Sequence, residues 1–130
     1  MKITWDEIVA NCKTLSQQLQ GKRIWGVPRG GTIVTGILSY MGCVLSTGGA
    51  GPLSGDIIVD DIVDTGTTLG QYTREGFETA VLYVRKGCHL RPDLFVQIIN
   101  HKEYLQFPWE TTRGGILEGK LTHEYKGLVK

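Results

Sequence analysis

Two kinds of apolar segment alternate along this chain, stretches at helical spacing and short β-branched runs. Trp5, Ile8, Val9, Cys12, Leu15 and Leu19 recur at helical spacing, and Thr4 with Glu7 three residues later forms a capping box. This predicts a first helix ending near Gly21. Arg23 to Val27 predicts a short strand, Pro28-Arg29-Gly30-Gly31 a loop, and Thr32 to about Tyr40 a second helix. Cys43-Val44-Leu45 predicts a second strand. The ten residues 46–55, from Ser46 to Gly55, have neither period and read as loop. Asp56-Ile57-Ile58-Val59 then opens a buried strand, three carboxylates (Asp60, Asp61, Asp64) follow, and Thr65 to Thr68 can open a helix running to about Gly76. Thr79 to Val84 and Leu94 to Ile99 predict two more strands. The tail from Thr111 has no clear period.

Strands followed by helices make an α/β pattern. At 130 residues the expectation is a single domain spanning 1–130, with one core. A net charge of +1 with no Lys/Arg cluster gives no reason to expect nucleic-acid binding, so any basic site must be local. The 18 glycines are spread along the chain, which points to tight turns and not to a linker. Cys12, Cys43 and Cys88 lack metal-ligand spacing and read as reduced core thiols, and His89, His101 and His123 show no close ligand spacing either. The first residues include Lys2, Asp6 and Glu7 and no apolar signal stretch, and no apolar run approaches a membrane span, so the expectation is a soluble, cytoplasmic protein.

The order of strand, carboxylates, small hydroxyl residues and helix start describes a site. In open α/β sheets ligands lie beyond the carboxyl ends of strands, and a helix N-terminus offers free N–H groups to an anion. A phosphate fits at Thr65 to Thr68, where small residues let the backbone approach and hydroxyls add hydrogen bonds. Asp60 and Asp61 suit a hydroxylated group or a divalent cation. Phosphate beside a carboxylate pair implies a phosphorylated sugar, with magnesium as a candidate cofactor. A Walker B strand is the competing interpretation, but it requires a Gly-x-x-x-x-Gly-Lys-Ser/Thr loop that this chain lacks.

Apolar run, Asp60-Asp61, two apolar residues and Asp64-Thr65-Gly66-Thr67-Thr68 resembles the signature with which type I phosphoribosyltransferases bind 5-phosphoribosyl 1-pyrophosphate (PRPP). The likeness extends over roughly residues 20–110 and implies a mostly parallel sheet flanked by helices. Arg29-Gly30-Gly31 matches the family loop that grips pyrophosphate, which makes Pro28–Arg29 the candidate for a cis peptide. By the same resemblance, Asp60 and Asp61 would hold the ribose hydroxyls, directly or through Mg2+. Residues 64–68 would wrap the 5′-phosphate, and Asp64 would also handle the proton on N7 of a purine. Lys86 matches the lysine that contacts the exocyclic oxygen of the base in the purine branch. Tyr104-Leu105-Gln106-Phe107-Pro108-Trp109-Glu110 resembles the segment of xanthine-guanine enzymes whose aromatic residue, here Tyr104, stacks on the purine.

The implied activity is transfer of the phosphoribosyl group from PRPP to a purine, releasing pyrophosphate and forming a nucleoside monophosphate in purine salvage. The chain departs from the family at residues 46–55, where a longer mobile loop usually closes over PRPP. A short, uncharged loop could still fold over a site, but it would bring no charged group to the leaving pyrophosphate. A sensor of PRPP or nucleotide with the same fold is therefore an alternative, as is a phosphoribosyltransferase for another base such as uracil or orotate. Homodimers are common in the family, and one is expected here.

Overall fold

The computed structural model describes residues 1–100 and 102–110; His101 and the segment 111–130, with His123 and the unassigned tail, lie outside the described residues. The element order is α1 (Trp5–Ser16), β1 (Arg23–Gly26), α2 (Gly30–Ser39), β2 (Val44–Leu45), β3 (Ile57–Val63), α3 (Thr67–Arg74), β4 (Glu78–Arg85) and β5 (Leu94–Ile99). The five strands form one sheet in the order β2-β1-β3-β4-β5. Every pairing is parallel.

Each element follows from local chemistry. Thr4 Oγ1 accepts the Glu7 amide at 3.1 Å and starts α1, while Gly21, at φ +70°, ends the turns that follow the helix at Ser16. Helix α2 begins two residues before the expected Thr32, so both glycines of the Arg-Gly-Gly motif sit in its first turn. Strand β3 is longer than the β-branched run suggested, because Asp60 and Asp61 lie within it.

The sheet is covered on both faces. Ile8, Cys12, Leu15 and Leu19 with Val34 and Leu38 of α2 pack on one face, against Ile24, Ile57, Val59, Ala80 and Leu82. On the other face Leu69 of α3 packs with Trp25, Ile58, Val81 and Val84, and Tyr72 and Phe77 lie against them. The buried Tyr83 hydroxyl accepts Asn11 Nδ2 at 2.8 Å, which satisfies both groups inside the core. Cys12 and Cys43 are buried as expected, and burial pushes the Cys12 thiol up to about 12; Cys88 is only half-buried, at a loop.

Strand order decides where a ligand can sit. The chain leaves β1 for the edge strand β2, then crosses back past β1 to β3. The crevice between the carboxyl ends of β1 and β3 is therefore a topological switch point. The crossing is made by residues 46–55. Strand β2 has two residues and stops level with the start of β1 and β3, where Leu45 pairs Ile24 and Ile24 pairs Ile57. Buried Asp56 accepts Leu53 N at 2.7 Å together with the Ser46 hydroxyl and Arg23 Nε, and Trp25 Nε1 donates to Gly48 O at 3.0 Å. Burial alone would raise the Asp56 carboxyl, but these hydrogen bonds outweigh it and hold the group below its ordinary value. The loop is tied to the amino-terminal half of the sheet and does not fold over the site.

Candidate active site

The loops after β1 and β3 flank the switch point, and a cavity of about 630 Å3 opens between them. That volume suits a nucleotide-sized ligand. Arg29 and Gly30 line it from α2, Asp60 to Thr68 from β3 and the start of α3, and Tyr104, Leu105, Phe107, Trp109 and Glu110 form the facing wall. Three stretches distant in sequence, around residues 29–30, 60–68 and 104–110, thus meet beyond the carboxyl ends of the strands because every strand points the same way.

The carboxylate pair is built by an irregularity in β3. Its register with β4 keeps one offset on either side of the pair, from Asp60↔Val81 to Ile62↔Tyr83, so the change lies in which face the side chains take. Across that point the alternation slips by one position: Ile57, Val59 and Ile62 face the α1 side, whereas Ile58 and Val63 face α3. Asp61 N donates to Asp60 Oδ1 at 2.9 Å, and Ile62 N donates to Asp61 Oδ1 at 2.8 Å. Burial and the neighbouring carboxylate push Asp60 well above the usual carboxylate range, and burial raises Asp61, with Glu110 adding to it. Two adjacent half-buried carboxylates with oxygen-only donors are the donor set that a hard divalent cation takes, and magnesium is commonly held by one or two carboxylates plus ligand phosphates. Magnesium therefore fits these residues.

The two helix starts supply the anion sites. A Cβ on Gly30 would lie 2.0 Å from Asp61 Oδ2, and one on Gly31 2.4 Å from Val59 O, so only glycine brings this turn against β3. The Pro28–Arg29 peptide is cis, as its sequence position suggested. Gly31 packs behind the cavity and does not line it. At α3, Gly66 is the N-cap with φ 94°, and a Cβ there would meet Leu90 Cβ at 2.7 Å. The hydroxyls of Thr65 and Thr67 lie 3.0 Å apart at the first turn, whose amides have no intrahelical acceptor.

Among the sequence-nominated residues, Arg29, Gly30, Asp60, Asp61, Asp64, Thr65, Gly66, Thr67, Thr68 and Tyr104 line this cavity together. Lys86 does not. It lines an adjoining cavity of about 760 Å3 that shares Asp64, Thr65 and Arg85 with the first. Two charged lining residues went unnominated. Glu110, whose Oε1 accepts Phe107 N at 2.9 Å, was visible only as the end of the Pro-Trp-Glu segment. Arg85 had no signal beyond its place beside Lys86; its Nε donates to Asp64 Oδ1 at 2.6 Å. Arg29 and Arg85 thus share the cavity with Asp60, Asp61, Asp64 and Glu110, a lining with more acidic than basic side chains.

A parallel sheet with two anion-ready helix starts around a carboxylate pair defines the type I phosphoribosyltransferase class. Comparison with known proteins agrees. No family model matches the chain. Xanthine-guanine phosphoribosyltransferase of Gluconobacter oxydans is 30% identical over 84% of this chain and 83% of its own length. The purine phosphoribosyltransferase of Pyrococcus horikoshii superposes with a TM-score of 0.69 at 25% identity, covering 91% of this chain and 97% of that one. The Helicobacter pylori xanthine-guanine-hypoxanthine phosphoribosyltransferase, at 18% identity, shares the fold with a TM-score of 0.66 over 85% of this chain and 92% of its own. The chain belongs to the phosphoribosyltransferase family, in its purine branch. Among the described residues no helix is long and apolar enough to cross a membrane.

Proposed function

We propose that this protein transfers the 5-phosphoribosyl group of PRPP to a purine base, forming a nucleoside monophosphate and pyrophosphate in purine salvage. The observation that carries the reading is the convergence of the α2 and α3 starts on Asp60 and Asp61, with Tyr104 in the facing wall of the same cavity. Two anion sites separated by a carboxylate pair match a ribose that bears phosphate at one end and pyrophosphate at the other.

In this reading the first turn of α3, from Thr65 to Thr68, holds the 5′-phosphate. Arg29 and the amide of Gly30 hold the pyrophosphate, with Gly31 packed behind them against β3. Asp60 and Asp61 orient the ribose hydroxyls and hold Mg2+, which when bound supplies charge neutralisation to the leaving pyrophosphate. Tyr104 stacks on the base, and Lys86 meets its exocyclic oxygen from beside Asp64 and Thr65. The bond from C1 to the pyrophosphate oxygen breaks with its electron pair leaving on pyrophosphate, a purine ring nitrogen bonds to C1, and the ring proton passes to the Asp64 carboxylate. Amides fixed in place before the reaction stabilise charge where it develops.

The test is pyrophosphate release by purified protein with magnesium and PRPP, offering guanine, hypoxanthine, xanthine, adenine, uracil and orotate separately. Release with one or more purines is the expected result and identifies the substrate. Release only with uracil or orotate would move the assignment to another base, and PRPP binding without release would make the chain a sensor.

A further inference from the structure

Arg85 is the last residue of β4, and its guanidinium bonds two segments that the sequence keeps far apart. Nε donates to Asp64 Oδ1 at 2.6 Å, at the exit of β3. Nη1 donates to Asn100 O at 3.1 Å, just beyond β5, and also to Glu103 O, the residue before Tyr104. The Arg85 side chain is 17% exposed and that of Asp64 59%, so the cation is the anchored member and the carboxylate the one held out toward the cavity. Both residues line both cavities, which makes the pair the wall between them.

This geometry matters because Asp64 and Tyr104 stand on separate segments. Asp64 leaves a strand into the phosphate turn, and Tyr104 sits beyond β5, past Asn100 and Glu103. A planar guanidinium presents donors in fixed directions and can bond a carboxylate on one edge and carbonyls on the other, which an ammonium on a flexible stem does not reproduce.

Resting on the purine-transfer reading above, we propose that Arg85 is the positioning residue of the base site: it aims the proton-accepting carboxylate of Asp64 and fixes the backbone that carries Tyr104. It bonds neither PRPP nor the reacting atoms. It sets the distance between proton acceptor and stacking platform, and thereby the fit of a two-ring base.

The experiment is steady-state kinetics of Arg85→Gln, Arg85→Lys, Asp64→Asn and the double variant Arg85→Gln/Asp64→Asn, with the wild type alongside. In Arg85→Gln the expected result is kcat lowered about 10-fold and KM for purine raised about 10-fold, with KM for PRPP within about two-fold. Arg85→Lys should recover most of kcat, because it restores a cation beside Asp64, while KM for purine stays high because the two carbonyls are not both reached. The Arg85→Gln effect on kcat should vanish in the Asp64→Asn background, while its effect on purine KM persists, since only the first acts through Asp64. Additive kcat losses, or equal weakening of PRPP and purine, overturn the proposal. Should Arg85→Gln not fold, Arg85→Lys with a purine KM equal to wild type overturns it and a raised one supports it. A wild type that releases no pyrophosphate with any purine overturns the underlying reading as well, which separates the two failures.

Discussion

The Cα of Gly31 lies so close to β3 that a methyl group added to it would sit 2.4 Å from the carbonyl oxygen of Val59. That oxygen accepts the Val27 amide at 2.9 Å, so it belongs to the frame joining β1 to β3 and cannot swing aside as a side chain would. The contact sets how near the start of α2 comes to the carboxylate pair. Gly31→Ala should destabilise the protein by about 1–3 kcal/mol and weaken PRPP binding more than purine binding. Urea unfolding and separate titrations of PRPP and purine check this; unchanged stability would show that the turn can relax.

Asp60 is held protonated to higher pH in the folded protein than its ordinary value of 3.8, chiefly by burial and then by Asp61. The folded state therefore binds more protons than the unfolded chain above that value, and stability falls as pH rises through this window. Asp60→Asn removes the cost of the buried charge. It should raise Tm by several degrees at pH 8, leave Tm little changed near pH 4, and lower turnover by about 10²-fold. Melting curves at the two pH values with a turnover assay test the pair of effects.

Asp56 behaves in the opposite sense. Its carboxyl is held below the ordinary value by Ser46, Arg23 and the Leu53 amide, so the stability it contributes is present at neutral pH and is lost as pH falls through its folded-state value. Asp56→Asn should cost about 2–3 kcal/mol at pH 7, with a smaller difference from wild type below pH 4. Because the cluster ties down residues 46–55 in the amino-terminal half of the sheet, kcat of the folded variant should stay within about two-fold of wild type. A larger loss of kcat would mean that the loop takes part in turnover.

Tyr104 and Lys86 line different cavities, and in the proposed function both meet the base. Tyr104→Ala should raise KM for purine about 10-fold or more and spare PRPP, since stacking on a base is worth about 1–3 kcal/mol. Lys86→Ala should have a similar effect on 6-oxopurines and little on adenine. Identical behaviour of oxo and amino purines toward Lys86→Ala would confine Lys86 to the outer cavity.

PRPP with magnesium should raise Tm together, by a free energy of about 2.7 kcal/mol at one hundred times Kd. The acidic lining predicts that PRPP without a divalent cation stabilises far less. A chelator titration followed by thermal melting distinguishes the two cases.

The chain alone determined the local pieces. Residues at helical spacing, the Thr4 cap, the β-branched runs and the Gly-rich turns act over a few positions, so α1, α2 and the five strands were legible within one to five residues. The PRPP signature was legible for the same reason: its residues are contiguous and ride on a strand, a turn and a helix start. What only the tertiary structure decided depends on register and strand order. The one-position slip at Asp60 and Asp61 shows only in which face Ile57, Val59 and Ile62, against Ile58 and Val63, pack on, while the pairing with β4 keeps one register. The short β2 and the buried Asp56 cluster keep residues 46–55 off the site, and their length and composition did not show this. The parallel arrangement puts both Arg85 and Lys86 in the cavity that Asp64 lines, yet Arg85 is the one whose guanidinium bonds Asp64. Sequence spacing sets which residues share an element; the packing of elements sets which of them meet.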